Sequence, residues 1–182
     1  MENKVYPITI AGLKRELPIC RASDTLSIGA FVMFGDVELT VAAASELIKR
    51  IPDHDYIITA ESKGIPLAYE MARQMGETYL LARKGAKLYM KEPIKVEVQS
   101  ITTVARQTLY IDKKDADMMN GKRVVIVDDV ISTGESLRAL ETLVEKAGGK
   151  VVGKMAVLAE GDAQDRDDII YLEKLPLFFD EK

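Results

Sequence analysis

Apolar and polar positions change period several times along the chain, and each change marks an element. The segment "YPITIAGLKRELPIC" alternates on either side of Ala11 and Gly12, which predicts two short strands around a turn. "IGAFVMFG" then reads as a strand or a buried extended segment. Asp36 stands where a helix cap is wanted, before "VELTVAAASELIKR", whose last turn carries Lys49 and Arg50 ahead of Pro52. From there strands and helices alternate. "YIITA" predicts a buried strand, "PLAYEMARQM" a helix opened by Pro66 and closed by Gly76, and "TYLLAR" the next strand. "KVEVQSI" and "QTLYI" predict an antiparallel excursion, followed by the strand "RVVIV", the helix "ESLRALETLVEKA", a Gly-Gly stop and the strand "KVVGKMAVLA". Such alternation predicts an α/β fold whose central, mainly parallel sheet is covered by helices on both faces.

In open sheets of this kind ligands bind at the carboxyl ends of the strands. Chemistry is therefore expected in the loops after Ala60, Arg83, Val127 and Ala159. The third is the most telling. "RVVIVDDVISTGES" ends an apolar strand on Asp128 and Asp129 and continues into a turn of small hydroxylated residues and glycine before a helix near Glu135. Backbone N–H groups of such a turn point outward together, and with the hydroxyls of Ser132, Thr133 and Ser136 they form a cradle for phosphate. Two carboxylates beside it are acceptors for sugar hydroxyls, ligands for a divalent cation, or both. A phosphorylated ribose has that combination. One aspartate would suffice to cap the helix, and the second has no structural task.

Composition narrows the function classes. The 182 residues are 47% hydrophobic and 30% charged, proportions of an ordinary globular domain. No stretch approaches the roughly 18 apolar residues of a membrane span, and "MENKVYPITI" lacks the pattern of a secretory signal, so no membrane association and a cytoplasmic location are expected. Cys20 and His54 each stand alone in kind, which excludes a disulfide within the chain and a Cys/His metal cage. A formal net charge of −4 argues against nucleic-acid binding.

Residues 124–136 resemble, position by position, the phosphoribosyl-diphosphate (PRPP) motif of the type I phosphoribosyltransferases. The resemblance implies that Asp128 and Asp129 hold the ribose 2′ and 3′ hydroxyls, and that Ser132, Thr133, Gly134, Glu135 and Ser136 hold the 5′-phosphate. "AESKGIP" resembles the family's pyrophosphate loop, with Ser62, Lys63 and Gly64 at the gripping positions. "ARKGAKLYM" is similar to a segment of adenine phosphoribosyltransferases in which Arg83, Lys84 and Lys87 would face the diphosphate. The family's fold is then expected over residues 1–182 as one domain. Residues 1–35 would form an N-terminal hairpin and base-covering hood, and 36–182 the PRPP-binding core with a flexible catalytic loop.

Base choice is read from three places. An aspartate typical of hypoxanthine-guanine enzymes is replaced by Ser132, and the Lys- and His-rich loop of orotate enzymes is absent. "FVMFGDVELT" resembles the hydrophobic lid of adenine enzymes, which implies base contacts from Val32, Met33, Phe34 and Val130. "VEVQSITTVARQTLYID" looks like bacterial xanthine enzymes, with Thr103 where adenine enzymes carry a glutamate. The resemblance therefore implies a homodimeric purine phosphoribosyltransferase of purine salvage, transferring 5-phosphoribose from PRPP to adenine. Xanthine transfer and PRPP sensing without transfer remain the alternatives. Asp128, Asp129 and Lys63 would carry catalysis, and Mg2+ would be the cofactor, touching Asp128 and otherwise held by PRPP and water. The polar stretch 85–103 would close over bound substrate as a lid.

Overall fold

The computed structural model describes residues 4–99 and 106–179. Five parallel strands make its central sheet: β4 (Tyr56–Ala60), β5 (Tyr79–Ala82), β8 (Arg123–Ile131), β9 (Lys150–Glu160) and β10 (Ile170–Leu175), in the order β10-β9-β8-β4-β5. A second sheet, order β1-β2-β3-β11, joins β1 (Val5–Ile10), β2 (Leu13–Arg21) and β3 (Leu26–Gly29) to β11 (Leu177–Phe179). The hood expected from residues 1–35 thus takes its fourth strand from the other end of the chain. β6 (Ile94–Gln99) and β7 (Arg106–Ile111) pair as the anticipated antiparallel excursion, tied to the end of β5 by a bridge between Arg83 and Tyr110.

The apolar residues of β8 face two ways because side chains alternate along a strand. Val125 and Val127 enter a core shared with α1 (Val37–Ile48), α2 (Ile65–Met75) and the N-terminal strands. Val124 and Ile126 enter another, shared with α3 (Lys113–Met119), α4 (Glu135–Lys146) and the β6–β7 hairpin. The sheet is covered on both faces, as its continuous apolar strands require. Among the described residues no helix is long and apolar enough to cross a membrane.

Several elements differ from expectation. Residues 30–35 are irregular, because the strand read in "IGAFVMFG" stops at Gly29. β8 runs on through the acidic pair to Ile131, pairing Asp128 with Ala156 and Val130 with Leu158 of β9. α3, β10 and β11 follow no pattern strong enough to predict them; α3 is seven residues of mostly charged sequence held by two buried side chains, Ala116 and Met119.

Asp36 ties the hood to the core. Its Oδ1 accepts the backbone N–H of Leu39 at 3.1 Å, capping α1, and its carboxylate accepts two bonds from the Arg15 guanidinium of β2, at 2.7 and 3.0 Å. The arginine holds this carboxyl below the usual carboxylate range, so the contact stabilises the fold above the unfolded-state pKa near ~4 and is lost as pH falls through the lower folded value. Asp36→Ala is expected to cost about 1–2 kcal/mol at neutral pH, the range for a lost helix cap. In urea titrations the gap to wild type should close as the pH is lowered below 4.

Candidate active site

At the carboxyl ends of β4, β8 and β9 lies a cavity of about 410 Å3. Its walls include Ile28, Gly29, Ala30, Phe31 and Val32 from the hood, Glu61, Ser62 and Lys63 after β4, and Lys84 after β5. Ala60, Gln107, Asp128, Asp129, Val130, Ser132, Ser136, Glu160 and Leu175 complete it. A smaller concavity of about 40 Å3 adjoins it, bounded by Asp128 and residues 130–137.

The acidic pair is its electrostatic centre. Asp129 is only 5% exposed, and its Oδ2 is buried with no hydrogen-bond partner among the described residues. Asp128 Oδ1 accepts the backbone N–H of Asp129 at 2.9 Å. Burial raises the pKa of both carboxyls, and the charge of Asp129 raises Asp128 further, while Lys63 pulls Asp129 the other way. A buried acceptor left without a donor is costly unless a ligand supplies one. Asp129 Oδ2 therefore stands ready for a donor from a ligand.

Beside them, the turn from Ser132 into α4 pivots on Gly134, whose φ of 78° suits glycine, and it lines the smaller concavity with N–H groups and hydroxyls. Gln107 Nε2 donates to Ser136 Oγ at 2.9 Å, fixing one of those hydroxyls from β7. A Cβ on Gly134 would come within 3.0 Å of Arg166 Nη1, so a guanidinium also lies against this turn. After β4, the Glu61–Ser62 peptide is cis, and Gly64 is buried so tightly that a Cβ would meet Thr59 Oγ1 at 2.2 Å and Asp128 Oδ1 at 3.0 Å. Glycine there lets the loop lie directly on the acidic strand.

The basic residues divide. Lys63 and Lys84 line the cavity. Arg83 instead donates to Glu61 at 3.0 Å and to the Tyr89 hydroxyl at 2.8 Å, and Lys87 Nζ lies 3.9 Å from Glu61. Glu61 also accepts the backbone N–H of Lys84, which is the main reason its carboxyl lies below the usual range. Of the four residues expected at the base, Val32 and Val130 line the cavity. Met33 is 2% exposed and packs in the core with α1 and α2, and Phe34 is half exposed outside the wall. Thr103 lies outside the described residues.

Sequence reasoning did not single out Gln107, Glu160, Leu175 or residues 28–29. Glu160 directly follows the "KVVGKMAVLA" strand, so the loop was flagged but not the residue. Leu175 belongs to a strand without a strong pattern.

Comparison with known proteins agrees with this geometry. The profile of the phosphoribosyl transferase domain matches residues 34–176. A hypoxanthine/guanine phosphoribosyltransferase of Methanococcus voltae is 36% identical over 124 residues, which is 68% of this chain and 63% of the relative. An adenine phosphoribosyltransferase of Petrotoga mobilis is 36% identical over 122 residues, 66% of each protein. A xanthine phosphoribosyltransferase of Exiguobacterium is 31% identical, over 74% of this chain and 70% of the relative. The chain spans just under two thirds of the length of the first two of these relatives. In fold it is similar to the crystal structure of an adenine phosphoribosyltransferase from Thermoanaerobacter pseudethanolicus, with a TM-score of 0.67, 24% identity, and 93% of this chain and 95% of that one covered. With a family profile that runs from the end of the hood to the end of β10, and the central sheet and strand-end loops to go with it, the chain belongs to the phosphoribosyl transferase domain family.

Proposed function

We propose that the chain transfers the 5-phosphoribosyl group of PRPP to adenine, releasing diphosphate. The observation that supports this most is the pair of Asp128 and buried Asp129, with one Asp129 oxygen unpartnered among the described residues, set beside a turn suited to phosphate in a single cavity. In this reading Asp128 and Asp129 accept from the ribose 2′ and 3′ hydroxyls. The turn 132–136 binds the 5′-phosphate, and Ser62, Lys63 and Gly64 hold the diphosphate. Lys84 extends the cationic wall, and Arg83 and Lys87 approach the same group from the ion-paired cluster around Glu61.

Holding ribose and base in line is worth up to ~7–11 kcal/mol of the barrier. Lys63 neutralises charge that builds on the leaving diphosphate. Mg2+ suits the donor set only as a companion of the substrate: among the described residues no three His, Cys, Asp or Glu side chains cluster, which leaves Asp128 and substrate oxygens to hold it. When bound it supplies further neutralisation of the diphosphate. The apolar end of the cavity excludes water, which would otherwise compete for the ribosyl carbon.

The choice of adenine rests on residues 28–32, Val130 and Leu175, which offer apolar surface and main-chain groups but no cationic donor for an oxopurine. Cytoplasmic location and a homodimer belong to the same proposal. The exposed apolar side chains Val37 and Val41 of α1 and Tyr69 of α2 support the dimer. Diphosphate release from PRPP with adenine, xanthine, hypoxanthine or guanine tests the reading. Adenine is expected to give the highest kcat/KM. A higher value with xanthine would overturn the base assignment, and release with none would overturn transfer.

A further inference from the structure

One carboxylate in the cavity takes no part in the proposed transfer. Glu160 ends β9 beside Leu175 of β10, its register partner, and both line the cavity. It is half buried, and no hydrogen bond or ion pair engages its side chain among the described residues. Of the other polar side chains in the wall, Ser62, Lys63 and Lys84 are assigned to diphosphate, Asp128 and Asp129 to ribose, and Ser132 and Ser136 to phosphate. Gln107 is bonded to Ser136, and Glu61 is bonded to Arg83 and Lys84. Glu160 is left in the company of Val130, Leu175 and residues 28–32, the apolar end to which the purine is assigned.

We infer that Glu160 selects the base, accepting a hydrogen bond from the exocyclic amino group of adenine and repelling the anion that xanthine forms near neutral pH. This deepens the proposed reading and rests on its placement of the purine. An ionised carboxylate only accepts hydrogen bonds. An amino group meets it as a charge-assisted donor, whereas a carbonyl in the same position sets lone pairs against lone pairs. The low polarity of the surrounding wall strengthens both effects. Burial raises the Glu160 carboxyl and Lys63 lowers it, so the lysine also helps to keep the acceptor charged.

Calorimetric titration of adenine and xanthine into the full chain saturated with ribose 5-phosphate and magnesium tests this, alongside steady-state transfer. Glu160→Gln is expected to weaken adenine about tenfold or more, the range for a hydrogen bond to a charged group, and to narrow the preference for adenine over xanthine. The KM for PRPP should stay within about twofold. Glu160→Asp, which keeps the charge, should retain part of the preference. An unchanged adenine-to-xanthine ratio, or equal loss for both bases, would overturn the inference. A shift in PRPP KM with adenine binding unaffected would do the same, assigning Glu160 to Lys63. A wild-type chain that discriminates the bases through Glu160 yet transfers neither would refute transfer alone, and one that binds neither base would refute both.

Discussion

Asp129→Asn is expected to make the ligand-free protein more stable and the enzyme much poorer. Asp129 is buried with one oxygen unpartnered, next to a second carboxylate whose pKa is also raised. A carboxyl whose folded pKa lies above its unfolded value binds more protons in the folded state, so folding stability falls as pH rises from the unfolded pKa through the folded one, then levels off. At neutral pH the pair is therefore a cost to the fold. An asparagine of nearly the same shape removes the charge, and relief of about 1–3 kcal/mol corresponds to a melting point higher by roughly 2–12 °C. Function should move the opposite way. Loss of a charged acceptor for a ribose hydroxyl is worth about 1.5–3 kcal/mol, or roughly 10- to 200-fold in kcat/KM. The melting-point rise that PRPP gives wild type, about 2.7 kcal/mol in stability at ~100 times the dissociation constant, should shrink in the variant. Calorimetry from pH 4 to pH 9 should show the variant's advantage growing with pH. A variant that melts lower than wild type, with normal turnover in its folded fraction, would show that the carboxylate serves the helix turn rather than the ligand.

Gly64→Ala should be strongly disruptive. The Gly64 backbone, φ −74° and ψ −11°, is open to any residue, so alanine would ordinarily gain about 0.4–1 kcal/mol by restricting the unfolded chain. Here the methyl would stand 2.2 Å from Thr59 Oγ1, 3.0 Å from Asp128 Oδ1 and 3.3 Å from Asp128 Cα. The last two belong to the acidic strand and have little room to move. Overpacking of about 1–3 kcal/mol outweighs the entropic gain, and because the loop must lift off β8, PRPP affinity should fall with stability. Thr59→Ala removes the nearest obstructing atom, itself a buried hydroxyl without a partner among the described residues. In the double variant the two changes should couple favourably by about 0.5–3 kcal/mol in denaturant unfolding. Additive losses would mean that the loop is not seated by this contact.

Much of this molecule is legible in its sequence, and the gaps have physical causes. The strands β4, β5, β8 and β9 and the helices α1, α2 and α4 are read from continuous apolar runs and period-3.6 faces, because burial on both sides of the sheet leaves little choice of residue. The phosphate turn is legible because φ at Gly134 and the small hydroxyls around it are local requirements. Residues 31–35 read in the sequence as one lid, yet Met33 turns into the core while Val32 faces the cavity; in irregular backbone no period says which side chain goes where. Arg83 and Lys87 looked equivalent to Lys84. Only the fold brings Glu61, 22 residues from Arg83, close enough to hold that guanidinium. Glu160 was silent for a similar reason, since a lone glutamate after a strand is usually solvated, and its meaning comes from neighbours on β8, β10 and the hood.

The second sheet is built from β1 to β3 and β11, and the family profile, residues 34–176, starts after β3 and stops before β11. The cavity wall at residues 28–32 hangs on that sheet, whereas the acidic pair and the turn into α4 sit at the end of the central sheet. Divergence can then act on the two halves of the cavity separately. Terminal segments can be lengthened or trimmed without breaking the connections of the central sheet, so the wall at residues 28–32 can change shape while the acidic pair and the turn beside it keep their places.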